Sequence, residues 1–343
     1  MPISVLQFGL GEIGTRIAKL LTEKEGIEII GATDIDPEKV GLNLSGYLGI
    51  EEELGVKVLE DPQEVFSKEP DLVLHSTGSH VPDIYPQLEQ CIKAGASVIS
   101  TTEELSYPYL RNPDLSRDLD EMAEKEGVSV LGTGINPGFI MDYLPTVVSG
   151  PMQEVQSVFV QRIQDASVRR KPLQSKIGVG LDQEDFQTEI AEEGGHVGLA
   201  ESVAIVGGGM GLELEEITET IEPVIAEEGK TTDFFHADPG QVIGIKQVSI
   251  GRYKGEALIT LDLRMYLDAE EPRDYIKIEG SPEMELTLSG GTHGDVATPA
   301  VAVNCIPKIV EASPGLHTMI TLPSPAYFED LDNKDIILSN ILS

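Results

Sequence analysis

Two adjacent carboxylates, Glu103 and Glu104, follow the short run Ser100-Thr101-Thr102 and precede Leu105-Ser106-Tyr107-Pro108. A carboxylate at the carboxyl end of a strand beside a redox cofactor can take a proton from a substrate or face a developing cation. Paired glutamates also suit a solvated first helical turn, where acids complement the dipole, and one of the two is open to that reading. A second block runs Leu131-Gly132-Thr133-Gly134-Ile135-Asn136-Pro137-Gly138-Phe139 and ends at Asp142. Its Asn136 amide could bond a nicotinamide carboxamide or a substrate, while Asn136-Pro137-Gly138 is equally a turn sequence. His196, between glycines at 194–195 and Gly198, is a candidate to line a substrate pocket or a structural histidine. Arg169, Arg170 and Lys176 form one of the few basic clusters, suited to a substrate carboxylate or to surface ion pairs. His75, His80, His236, His293 and His317 lack metal-ligand spacing, and Cys91 and Cys305 suggest neither a metal site nor a disulfide framework.

These groups need a scaffold, and the first third of the chain supplies its pattern. Ile3–Phe8 is an apolar run followed by Gly9-Leu10-Gly11-Glu12-Ile13-Gly14, then by Ile17, Leu20 and Leu21 at helical spacing. A second strand over 27–33 ends at Asp34. A lone GxGxxG is weak evidence, but strand, glycine loop, helix and a following acid make a dinucleotide fingerprint. Gly9 allows the tight turn, Gly11 lets the backbone approach a diphosphate, and Gly14 lets helix and strand pack closely. The helix N-terminus offers free N–H groups to the diphosphate. Asp34 suits ribose hydroxyls and repels a 2′-phosphate, which favours NAD and leaves NADP possible. Asp36, before Pro37, reads as the start of the next turn. Ser76, Thr77 and Gly78, together with Thr101 and Asn136, are placed at the edge that faces the nicotinamide.

Strands over 56–59, 71–75, 96–101 and 128–131, with helices between several of them, complete a Rossmann-type, doubly wound parallel sheet. Beyond it, the strands expected over 155–163, 242–248, 256–265, 274–279 and 283–288 mostly lack intervening helices. They imply a second, α+β domain on a mostly antiparallel sheet. An apolar helix over 298–312 is expected to return to the first domain. The resulting division is 1–135 for the dinucleotide, with 296–343 packing back on it, and 136–295 for substrate binding and dimerisation.

Composition narrows the function classes. Fifty-nine acidic against 24 basic residues leave a formal charge of −35. Such a surface disfavours nucleic acid and anionic membranes. No leader pattern and no apolar stretch of spanning length stands out, so a cytoplasmic location is the default expectation.

The sequence resembles the 2,4-diaminopentanoate dehydrogenase family, relatives of dihydrodipicolinate reductase that include ketone-reducing amine dehydrogenases. The likeness rests on the glycine loop, Thr102–Pro108 and Leu131–Asp142. It continues through residues 178–181, 195–198 and 302–307 and ends at Pro314-Gly315-Leu316. It implies NAD-dependent oxidative deamination of 2,4-diaminopentanoate to 2-amino-4-oxopentanoate and ammonia, reversible as reductive amination. It further implies that Glu103 or Glu104 is the acid/base group, with Glu103 favoured, and that the protein is a homodimer. An amine dehydrogenase acting on simple ketones and amines shares the motifs. A dihydrodipicolinate reductase lacks a counterpart here for its His-His-x-x-K segment, and a non-catalytic NADH sensor would not need the paired glutamates.

Overall fold

The computed structural model describes residues 2–191 and 195–331; the Gly194 position of the histidine loop and residues 332–343 of the expected return segment lie outside them. The chain divides into two compact units. One comprises residues up to Ile135 and those from Gly294 onward, and the other is Asn136–His293.

The first unit is built on seven parallel strands. Six of them are β1 (Ile3–Phe8), β2 (Ile27–Thr33), β3 (Val58–Leu59), β4 (Leu72–His75), β5 (Ser97–Ser100) and β6 (Ser129–Gly132). The sheet runs β3-β2-β1-β4-β5-β6 and closes with a seventh strand, Gly315–His317. Val5, Leu6, Leu72, Val73, Val98 and Val130 are fully buried, as strands covered by helices on both faces must be. Helix α1 (Glu12–Leu21) follows the glycine loop and buries Ile17, Ala18 and Leu21. Order reverses between β1 and β4, the switch point at which such sheets bind ligands.

Register matters most for function. Phe8 pairs with Thr33 and with His75, His75 pairs with Ser100, and Ser100 pairs with Gly132. The carboxyl ends of five strands are therefore in line. The segments that follow them, at Gly9, Asp34, Ser76, Thr101 and Thr133, leave from one edge.

The return segment differs in detail from the expectation. In place of one helix over 298–312 there are two, Gly294–Asn304 and Ile306–Ile309. Pro307 has no N–H to offer the carbonyl one turn back, so the first helix ends before it. The strand Gly315–His317 pairs with β6, and Asp120 Oδ1 accepts from Leu316 N–H at 2.7 Å. Further on, Glu25 N–H donates to Glu329 O at 3.1 Å, while Lys24 Nζ donates to Phe328 O and lies 4.1 Å from the Tyr327 ring centre.

The second unit carries a six-stranded sheet in the order Met284–Ser289, Arg273–Ser281, Glu154–Asp165, Glu256–Tyr266, Val242–Tyr253, Glu216–Ile225. Only Glu154–Asp165 and Glu256–Tyr266 run parallel; the other pairs are antiparallel. The helix Leu199–Gly209 covers one face and is buried along most of its length. Contact is close enough that a Cβ on Gly251 would sit 2.6 Å from Val203 Cγ1. Among the described residues, no helix is long and apolar enough to cross a membrane.

Candidate active site

The glycine loop has the shape a nucleotide needs. Gly9 has φ +88°, and a Cβ there would meet Ser76 O at 2.6 Å. A Cβ on Gly14 would lie 2.0 Å from Gly9 O and 2.5 Å from Ser76 Oγ. Both glycines are explained by the protein's own packing. Gly11 is not: a Cβ there meets nothing within 4 Å, and its φ of −61° is open to any residue. It caps α1 without a side-chain hydrogen bond, so no cap side chain answers the first N–H groups of the ten-residue helix. A free cradle at a helix N-terminus fits a diphosphate. Leu10 is buried, while Glu12 pairs with Arg16 at 3.1 Å on the helix surface. Gln7 Nε2 ties the loop to β4 by donating to Gly9 O at 2.9 Å and Ser76 Oγ at 3.1 Å.

Asp34 is drawn to the same loop, its Oδ2 accepting from Leu10 N–H at 2.8 Å and its Oδ1 from Asp36 N–H at 2.8 Å. Burial pushes its carboxyl upward, but those N–H groups and the Lys39 ammonium outweigh it and hold the pKa below the usual value. Lys39 Nζ lies 3.2 Å from Asp34 Oδ2 and 3.5 Å from Asp36 Oδ2. This cation went unnoticed in the sequence, although its place five residues past the acid was a usable signal. Asp36 serves its turn, with Oδ1 accepting from Glu38 N–H at 2.9 Å.

At the ends of β4 and β5 a buried polar chain sets the loops. His75 Nδ1 lies 2.9 Å from Ser100 Oγ, and its Nε2 lies 2.7 Å from Gln87 Oε1 and 3.0 Å from Thr77 Oγ1. Thr102 Oγ1 donates to Gly78 O at 2.9 Å, and Thr101 N–H donates to His75 O at 3.0 Å. Burial pushes the His75 pKa from 6.5 down to about 4, so the ring is neutral at physiological pH. With the folded pKa below the unfolded one, the unfolded chain binds more protons between these values. The stability His75 contributes is therefore complete above about pH 7 and falls as pH drops from 6.5 toward 4, by up to about 3 kcal/mol. Urea midpoints at pH 7.5 and 4.5 should separate more in the wild type than in His75→Gln; equal separations would refute this.

The two glutamates have different surroundings. Glu104 is buried, with Oε1 accepting from His80 Nδ1 at 2.8 Å and Oε2 from Val81 N–H at 2.9 Å and Asn112 Nδ2 at 3.2 Å. Those bonds fix the start of the helix Val81–Lys93 to the segment that leads into the helix Pro113–Glu126. Glu103 is half-buried and begins the single turn that Glu104–Ser106 continues, its carbonyl accepting from Ser106 N–H at 3.1 Å.

In the second unit, Asn136 Oδ1 is buried and has no hydrogen-bond partner among the described residues. The Asn136-Pro137-Gly138 turn is held by Asp142, whose Oδ2 accepts from Gly138 N–H and from Ser202 Oγ, both at 2.7 Å. Its Oδ1 accepts from Tyr143 N–H at 2.6 Å. Burial pushes the Asp142 carboxyl up against those three donors. His196 is fixed through its backbone, with Gln247 Oε1 accepting from its N–H at 2.9 Å and Gln247 Nε2 donating to its carbonyl at 3.0 Å. Arg169 is buried near Arg162, whose guanidinium bonds Asp274 Oδ1 at 2.5 Å and Thr292 O at 2.6 Å.

The comparisons with known proteins bear on both units. A family model for the C-terminal domain of 2,4-diaminopentanoate dehydrogenase matches residues 139–337. The chain is also 33% identical over 334 residues to 2,4-diaminopentanoate dehydrogenase of Acetoanaerobium sticklandii, with 94% of each chain covered. The chain belongs to the 2,4-diaminopentanoate dehydrogenase family.

Its first unit matches, over residues 3–112, the model for the N-terminus of dihydrodipicolinate reductase. An amine dehydrogenase of Streptomyces virginiae is 25% identical over 355 residues, covering 94% of this chain and 96% of its own. The solved amine dehydrogenase of Mycobacterium smegmatis superposes with a TM-score of 0.86 at 25% identity, covering 96% of this chain and 98% of the other. The chain is thus an oxidoreductase of the amine-dehydrogenase type, as its resemblance implied. Within this 2,4-diaminopentanoate dehydrogenase fold, Lys39 and Gln247 were missed from sequence, and His75 and Asp142 were seen there without the roles they have. His75 was set aside for lack of metal spacing, a test that does not detect a buried hydrogen-bonding histidine.

Proposed function

We propose that the protein oxidises the C4 amine of 2,4-diaminopentanoate with NAD, yielding 2-amino-4-oxopentanoate, ammonium and NADH, and runs in reverse as a reductive amination. One observation carries the reading: the aligned ends of β1, β2, β4 and β5 send an open diphosphate cradle, a ribose acid and Glu103 from a single sheet edge. The 33% identity to a protein of that name supports the substrate.

Bound NAD would supply the hydride acceptor for the amine-bearing carbon. The protein would hold the diphosphate at Gly9–Gly14 and the adenosine ribose at Asp34, and Thr101 would orient the reacting ring; in the second unit the buried, unpartnered Asn136 Oδ1 is the acceptor offered to a ligand. Lys39 offsets part of the Asp34 charge, so Asp34 favours NAD while discriminating less strongly against a 2′-phosphate than an unpaired acid would. The Glu103 carboxylate faces the substrate's iminium cation and takes the proton of the water that attacks it. Carbinolamine collapse then breaks the C–N bond. Overall, one amine, one NAD⁺ and one water give one ketone, one NADH and one ammonium. Glu104, held by three donors, positions the turn that carries Glu103.

A simple-amine dehydrogenase is the second reading, favoured by the 0.86 superposition on the Mycobacterium smegmatis enzyme. Absorbance of NADH during incubation with 2,4-diaminopentanoate, ornithine, alanine or cyclohexylamine, with NAD and then NADP, separates the two. Turnover and ammonia release with 2,4-diaminopentanoate and NAD is the expected result. Activity confined to cyclohexylamine would replace it by the second reading.

A further inference from the structure

Beyond the carboxyl end of β2 a cation stands where an NAD-specific site needs none. Lys39 follows the ribose acid by five residues, and its backbone is fixed there. Its N–H donates to Asp36 O at 2.9 Å, Val40 N–H donates to the same oxygen at 3.0 Å, and Gly41 N–H donates to Val58 O of β3 at 2.8 Å. The side chain thus leaves a hydrogen-bonded turn that is tied to the sheet. Its Nζ lies 3.2 Å from Asp34 Oδ2 and 3.5 Å from Asp36 Oδ2.

Asp34, in turn, has little left to give a ribose. A carboxylate offers about four acceptor positions, two on each oxygen. Oδ2 accepts from Leu10 N–H at 2.8 Å and from Lys39 at 3.2 Å, and Oδ1 accepts from Asp36 N–H at 2.8 Å. Among the described residues this leaves one position, on Oδ1, for the two adjacent ribose hydroxyls. Given to the 3′-hydroxyl, it leaves the 2′-oxygen free to carry a phosphate.

Lys39 can meet that phosphate. Among the described residues it uses one of its three N–H donors in a hydrogen bond, the one to Asp34. A ribose oxygen bonded to Oδ1 at an ordinary length lies within about 8 Å of Nζ. The flexible lysine stem and a phosphate on that sugar span such a gap. A phosphate ester brings about two negative charges and three strong acceptor oxygens, a better partner for an ammonium than one carboxylate oxygen. Asp34 and Asp36 together still outweigh the single charge of Lys39, so the unphosphorylated ribose keeps the advantage.

We propose that Lys39 is the anchor for a nucleotide 2′-phosphate, exchanging Asp34 Oδ2 for it, so that the site accepts NADP as well as NAD. The inference rests on the nucleotide reading of the glycine loop and Asp34 given above, and is independent of which amine is oxidised.

Fluorescence titrations with NADH and NADPH, which differ by that phosphate alone, test it without turnover. The wild type should bind both, NADPH the more weakly by up to about 10-fold. In Lys39→Met, NADPH affinity should fall a further 10- to 100-fold or so, about the effect of losing a charged hydrogen bond, with NADH affinity within about 2-fold of the wild type. Lys39→Gln should repeat that loss, and Lys39→Arg should keep NADPH binding because it keeps the cation. A wild type that binds NADH and not NADPH overturns the proposal. So do equal losses of both nucleotides in Lys39→Met and Lys39→Gln, or NADPH affinity unchanged in them. Lys39-dependent NADPH binding in a protein that oxidises no amine would leave the subsite standing and refute the function above. Amine oxidation with NAD, beside NADPH binding indifferent to Lys39, would do the reverse.

Discussion

Glu103→Gln should lower kcat by about 10²- to 10⁴-fold while NADH affinity stays as in the wild type. The substitution preserves size and removes the negative charge and the basicity. The turn it begins is held by backbone hydrogen bonds, from Ser106 N–H to Glu103 O and from Leu105 N–H to Thr102 O at 3.2 Å, which glutamine retains. Glu104→Gln should behave differently. Its carboxylate accepts from His80, Val81 N–H and Asn112, and the amide NH₂ of glutamine cannot accept any of them. Only by turning that NH₂ to His80, whose ring must then switch tautomer, does glutamine keep its oxygen for Val81 N–H and Asn112, and the bonds to a charged carboxylate become neutral ones, at a cost of about 1 kcal/mol. The Glu104 variant should therefore melt at a lower temperature, with activity reduced in proportion to the displaced turn. Melting curves and single-turnover rates on both variants settle the division of labour. A stable, inactive Glu104→Gln beside an active Glu103→Gln would reverse the two roles.

That division shows where the sequence stops being readable. The adjacent glutamates are identical in type, and their placement after a strand marked both. Only a third element separates them: the N-terminus of the helix Val81–Lys93, more than twenty residues away in the chain, brings Val81 N–H and His80 to Glu104. The nucleotide loop was legible because its information is local, six residues flanked by a strand and a helix. The strand Glu216–Ile225 was not foreseen for a physical reason. It is an edge strand whose exposed face carries Glu216, Thr218, Thr220 and Glu222, and whose Pro223 is tolerable only at an edge. The helix Leu199–Gly209 was missed because it is buried all round and so has little amphipathic pattern, and because it ends in three glycines. The strand Gly315–His317 is three residues long, and pairing with β6 rather than any run of apolar residues makes it a strand. Asp142 illustrates the same limit within the site. It closes the conspicuous Asn136-Pro137-Gly138 segment, but its role depends on Ser202, 60 residues on.

The glycine loop offers the other large effect, and there two similar substitutions should diverge. In Gly14→Ala the new methyl would lie 2.0 Å from Gly9 O, 2.5 Å from Ser76 Oγ and 2.9 Å from Gln7 Nε2. Two of these belong to the loop and strand that α1 must approach, so the helix has to move away from β1 and β4. Overpacking of this kind costs about 1–3 kcal/mol, and the displaced helix N-terminus loses NADH as well. Gly11→Ala meets no protein atom within 4 Å, and its φ of −61° and ψ of −175° are ordinary for alanine. Removing a flexible glycine from the unfolded chain at such a position stabilises by about 0.4–1 kcal/mol. Its melting temperature should therefore equal or exceed that of the wild type, while NADH affinity, read by fluorescence titration, falls at least about 10-fold because the methyl occupies the diphosphate's approach. The combination is diagnostic, since a glycine kept for folding would lose stability on substitution. A Gly11→Ala protein that binds NADH like the wild type would mean the open cradle at the start of α1 is not where the diphosphate sits.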